Sequence, residues 1–179
     1  MQNKRVRKPV PRLKEFDYAK PGFYHVVLCV IKGHHILSKV VPDESRGRSL
    51  VGPHARNTLQ PQMKLYDAGN VIEANIQYIN NCLSSIRIDE YIIMPNHLHM
   101  IIELDKDGYS RADQRSAPTS LIKVVQSFKS SVTKQAGFKF WQRGYYERVI
   151  RDEQELCATK QYIKDNPKNW EQDFYFVQK

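Results

Sequence analysis

Two apolar runs, RIDEYIIM at 87 to 94 and HLHMIIEL at 97 to 104, flank the dipeptide Pro95-Asn96. A turn-forming pair between runs rich in β-branched residues predicts an antiparallel hairpin inside a sheet. Alternation along a strand then sends Leu98 and Met100 to one face and His97 and His99 to the other. Two imidazoles are presented side by side at the turn-proximal end of a rigid element.

The remaining elements follow from the same patterning. FYHVVLCVIKG (23 to 33) reads as a buried strand closing at a glycine, with HILSKVV (35 to 41) as its hairpin partner. Residues 42 to 62 shift to Pro, Gly, Ser, Arg and Asn, the composition of a long functional or disordered loop, and MKLY (63 to 66) adds a short strand. Val71, Ile72, Ile76, Ile79, Leu83 and Ile86 recur at helical spacing across 70 to 86. A second helix is predicted from the stripe Leu121, Val124, Val125, Phe128 and Val132 behind a Ser or Thr cap. FKFWQRGYYERVI (138 to 150) reads as extended with a turn near Gly144, and RDEQELCATKQYIKDNP as a third helix that Pro167 stops. Strands and helices in this order predict an α+β fold, a ferredoxin-like antiparallel sheet with helices packed on one face.

A chain of 179 residues, 41% of them hydrophobic, fits one domain over 1–179, with a basic arm at 1–20 and the long loop at 42–62. No run approaches a membrane span and the basic amino terminus lacks an apolar core, so the expected location is the cytoplasm. Cys29, Cys82 and Cys157 show no paired spacing and are expected as buried thiols. GxGxxG and GxxxxGK patterns are absent from the sequence, so no nucleotide cofactor is expected.

Lys and Arg number 28 against 19 Asp and Glu, a formal charge of +9 spread over several segments. Such a field attracts polyanions and nominates DNA, although a solvated basic surface accounts for charge alone. Lys123, Lys129, Arg143, Arg148 and Arg151 are the candidate DNA contacts. Aromatic residues interleaved with basic ones at 138 to 151 suit base stacking and core packing alike.

On a helix, positions i and i+4 stack with β-carbons roughly 6 Å apart, which pairs Tyr162 with Asn166. Brought to the histidines, they make a two-imidazole, one-amide metal site with a phenol beside it. Each residue also has a plainer explanation. Histidines occur as satisfied polar groups at sheet ends, Asn before Pro ends helices, and a tyrosine beside an apolar stripe usually belongs to the core.

The ordered combination says more. MPNHLHMIIEL, SFKSSVTK, FWQRGYYERVIRDEQEL and YIKDNPKNW, spread over roughly residues 22 to 173, resemble the HUH-type single-tyrosine transposases, particularly the REP-associated tyrosine transposase branch and related bacterial insertion-sequence transposases. The resemblance implies His97, His99 and Asn166 as ligands of a divalent metal, Mg²⁺ or Mn²⁺, and Tyr162 as nucleophile. It implies cleavage and rejoining of single-stranded, hairpin-flanked DNA through a 5′-phosphotyrosine, by a monomer or a homodimer with shared sites. Tyr145 and Tyr146 are the rival nucleophiles, but neither has a fitting polar residue at i+4. The loop at 42–62 is longer than the family pattern, and the basic arm has no clear counterpart in it.

A phenol with a pKa of about 10 is ionised about one part in a thousand at pH 7, a deficit of roughly 4 kcal/mol that a Lewis-acidic cation beside the phosphate can offset. Imidazole and oxygen donors suit Mn²⁺ and accommodate Mg²⁺, and Zn²⁺ is compatible with the same set. Two other functions use the same residues. One is a metal-dependent hydrolytic nuclease in which Tyr162 only packs, and the other a catalytically inactive DNA-binding regulator.

Overall fold

The computed structural model describes residues 16–42, 61–105 and 120–173, Gln172 by its backbone alone. The basic arm up to residue 15, loop residues 43–60, the polar link 106–119 and the aromatic run 174–177 lie outside the described residues. The elements are β1 Gly22–Cys29, β2 Ser38–Val41, β3 Gln62–Leu65, α1 Asp67–Cys82, β4 Ile86–Ile93, β5 His97–Leu104, α2 Leu121–Ala136, β6 Tyr146–Ile150 and α3 Glu153–Asp165.

β1, β4, β5 and β6 form an antiparallel sheet in the order β4-β5-β1-β6, while β2 and β3 make a separate two-stranded ladder. With that ladder set aside, the chain runs β-α-β-β-α-β, the ferredoxin-like order expected. Alternation along β1 and β5 turns Tyr24, Val26, Leu28, Leu98, Met100, Ile102 and Leu104 to one face, where they pack with Ile72, Ile76 and Ile79 of α1. All five residues of the predicted α2 stripe are buried in the same cluster. Ser120 caps α2 by accepting from the Lys123 N–H, and Gly137 ends it at φ 79, a conformation that favours glycine.

Four expectations need correction, the first being the helix over 70 to 86, which runs Asp67–Cys82 and leaves Ile86 to open β4. The segment 35–41 does not pair with β1, because both edges of β1 are taken, by β5 and by β6. The chain instead turns away at Lys32 and Gly33 (φ 57 and 67), and β2 pairs with β3 across the long loop. Only Cys29 of the three free cysteines is buried. The single helical layer holds for α1 and α2, whereas α3 covers the opposite face, where Leu156 and Ile163 pack on Ile101 and Ile150.

A bulge in β4 accompanies the contact of α3 with that second face. The ladder register shifts between Ile88 and Glu90, leaving Asp89 as the extra residue. Asp89 and Glu90 are thereby both met by α3: Lys160 pairs with Asp89 at 2.6 Å and Lys164 with Glu90 at 3.1 Å. Lysines one helical turn apart thus tie the helix to the strand edge, and at its other end Arg148 of β6 pairs with Glu155 at 2.5 Å.

Candidate active site

β5 enters the second face with His97 and His99, which are 0% and 2% exposed. Their rings are edge to face with centroids 4.7 Å apart. The Asn96 amide nitrogen donates to the Gly33 carbonyl, so its oxygen faces His97 Nδ1 at 2.9 Å. Nδ1 therefore carries the ring proton, and Nε2 presents a lone pair. Burial pushes the His97 imidazolium down to a pKa of about 3, which keeps the ring neutral at physiological pH.

His99 is oriented from β1. Its Nδ1 lies 3.1 Å from His25 Nε2, with the two rings stacked at 5.3 Å. A proton shared along that contact fixes the tautomer of His99, as an outer-shell partner does for a metal ligand. His25 went unmarked in the sequence. The available signal was its place beside Val27 and Cys29 on the face opposite Tyr24, which becomes informative only once β1 is known to pair with β5.

α3 brings Tyr162 to the same place. Its ring meets His99 edge to face at 5.5 Å and His25 at 6.2 Å. At 51% exposed it is no core residue. It opens into a cleft of about 740 Å³ that Arg148, Arg151, Thr159 and Tyr146 also line. Tyr145, by contrast, packs against the main core.

Asn166 does not end the helical path as Asn before Pro often does. It keeps helical angles, φ −55 and ψ −43, and the chain continues as a 3-10 turn over Asn166–Gln172. Its side chain is buried, and Oδ1 has no hydrogen-bond partner among the described residues. A buried carbonyl oxygen without a donor is costly, and a cation satisfies it. Asn166 sits between Tyr162, which touches His99, and Trp170, whose ring lies 5.9 Å from His97.

Asp173, just after that turn, is a donor that sequence reasoning missed. Its carboxylate and the His97 and His99 ring nitrogens lie within 4.8 Å of one another. With donor–cation bonds of about 2.0 to 2.2 Å, such a triad closes on a divalent ion after a small contraction. No periodicity marked Asp173, since only the path of the 3-10 turn carries it back to β5. The two imidazoles and the carboxylate are donors that fit a divalent cation.

The five basic residues divide between the faces. Arg148 and Arg151 line the Tyr162 cleft. Arg143 and Lys129 line a different groove, and Lys123 lies on α2 beyond the sheet. The Lys129 ammonium donates to the carbonyls of Gln142, Arg143 and Gly144 at 2.7, 3.4 and 3.2 Å, so its three hydrogens hold the 142–144 turn.

Residues 62–166 match the family model of the IS200-like transposases, and the chain belongs to that family of DNA-processing enzymes. DNA is accordingly its partner class. A Haemophilus influenzae protein described only as uncharacterized is 31% identical over 182 residues, covering 93% of this chain and 91% of the relative. Among solved structures, a REP-associated tyrosine transposase bound to a REP hairpin superposes with a TM-score of 0.53 at 16% identity, over 87% of this chain and 72% of that one, a likeness of fold. No helix among the described residues is long and apolar enough to cross a membrane.

Proposed function

We propose that the protein cleaves and rejoins single-stranded, hairpin-flanked DNA, with Tyr162 as nucleophile and a divalent cation, Mg²⁺ or Mn²⁺, held by His97 and His99. The observation that carries this reading is the half-exposed Tyr162 ring standing 5.5 Å from His99 at the mouth of an open cleft. Asn166 Oδ1 and Asp173 supply the oxygen donors. When bound, the cation supplies Lewis acidity toward the scissile phosphate.

The phenolic oxygen of Tyr162 forms a bond to phosphorus and releases its proton to solvent. The P–O3′ bond breaks, and O3′ leaves with the electron pair and takes up a proton. The product is a 5′-phosphotyrosyl enzyme and a free 3′-hydroxyl. The diester bond energy is conserved, so the reverse attack by a 3′-hydroxyl rejoins DNA without a nucleotide cofactor. Arg148 and Arg151 are placed to hold phosphates in the cleft, Arg148 while paired to Glu155. Tyr162 meets the histidines of its own chain, which supports a site completed within one subunit.

Incubation with end-labelled hairpin DNA and Mn²⁺, followed by denaturing electrophoresis, tests the reading. A denaturation-resistant protein–DNA adduct is expected. Cleavage without an adduct would select the hydrolytic nuclease, and binding without cleavage the regulator.

A further inference from the structure

A phosphodiester has two flanks, and two clefts of similar size lie near the histidine pair. One is the Tyr162 cleft. The other, about 770 Å³, lies between the base of the β2–β3 ladder and the 3-10 turn after α3, lined by Lys39, Tyr66, Pro95, Lys168 and Trp170. The first reaches the site through His25 and His99, which line it, and the second comes closest through Trp170, which lines it and whose ring lies 5.9 Å from that of His97. Pro95 is two residues from His97, and Trp170 packs on the His97 ring, whereas Tyr162 packs on His99.

Resting on the reading above, we infer that this second cleft binds the leaving strand, the single-stranded DNA that ends in a 3′-hydroxyl after Tyr162 attacks. In phosphoryl transfer the attacking and leaving oxygens lie roughly in line across phosphorus. With the nucleophile on the His99 side, O3′ and the nucleotides 5′ to it depart toward the His97 side, where the second cleft opens. Its walls suit that occupant. Tyr66 is 41% exposed and offers a ring face for a base. Lys39 stands opposite Lys64 in the ladder register, a like-charge juxtaposition that costs stability and that phosphates relieve. Lys168 is the second ammonium in the lining, already paired with Asp165 at 2.8 Å. Glu171 is the carboxylate in the lining.

The test uses the full chain carrying Tyr162→Phe, so that binding is read without chemistry, in Mn²⁺. Two random-sequence single-stranded octanucleotide pools are compared by fluorescence anisotropy, one with a free 3′-hydroxyl and a 5′ dye, the other with a 5′-phosphate and a 3′ dye. Tyr66→Ala is expected to weaken the 3′-hydroxyl strand about tenfold and leave the 5′-phosphate strand within about twofold. Tyr66→Leu, which keeps bulk and loses the ring, is expected to repeat the loss. Lys39→Gln is expected to lower the log–log salt slope of the 3′-hydroxyl strand by about 0.7. The inference is overturned by a 3′-hydroxyl strand that does not bind, by equal weakening of both strands, or by weakening of the 5′-phosphate strand alone. Absence of any adduct from the unmutated protein would instead overturn the tyrosine reading beneath it, which keeps the two failures apart.

Discussion

The two faces of β5 are built for different ends. On one, Leu98, Met100, Ile102 and Leu104 are buried among aliphatic residues of α1 and α2. On the other, Ile101 packs in a small apolar cluster, and His97 and His99 are buried, with the Asp173 carboxylate within 4.8 Å of their ring nitrogens. The first face is satisfied by packing, whereas the second gathers metal-ligating groups, two buried imidazoles and a carboxylate. Stability and chemistry thus share one strand, and mutations on alternate residues should separate them.

The largest separation is expected at Tyr162→Phe. Removing one half-exposed oxygen should abolish the DNA adduct while the thermal midpoint and DNA affinity stay near those of the unmutated protein, read by calorimetry and anisotropy. A melted protein would show that the tyrosine belongs to the packed face after all. Met100→Ala inverts the pattern. A fully buried methionine lost from the helical side should cost about 2 to 5 kcal/mol in denaturant unfolding, and the surviving folded protein should bind Mn²⁺ as before.

How much of this division was legible beforehand depends on range. The hairpin, the α2 stripe and the pairing of His97 with His99 rest on local periodicity, and each appears where the pattern put it. The partner of β2 lies across a long loop, and strand composition does not encode which edge is free. His25 and Asp173 were missed for the same reason, since each reaches the histidines only through tertiary pairing. The ion pair that Lys160 makes from α3 falls on Asp89, the bulged residue, and a one-residue bulge leaves no compositional mark.

Acid sharpens the comparison further. Because burial lowers the His97 pKa from 6.5 to about 3, the unfolded chain binds a proton that the folded chain refuses. The neutral-ring contribution is therefore fully present above pH 6.5 and is lost as pH falls toward 3. In metal-free protein, His97→Gln should flatten that part of the stability profile, so its unfolding free energy should converge on that of the unmutated protein between those limits. A constant offset across the same range would contradict the buried neutral ring. The smallest effect is expected at His25, which touches His99 and is not one of the proposed ligands. His25→Ala should weaken Mn²⁺ binding about tenfold by calorimetric titration with little change in the unfolding midpoint.

The central claim is that the histidine pair and Tyr162 act on one phosphate. Proteolysis of the Mn²⁺-dependent adduct followed by mass spectrometry tests it most directly, because the linked peptide names the nucleophile. The account predicts a nucleotide 5′-phosphate on the peptide containing Tyr162, lost when His99 is replaced by alanine. A nucleotide on Tyr145 or Tyr146, or an adduct indifferent to His99, would contradict it.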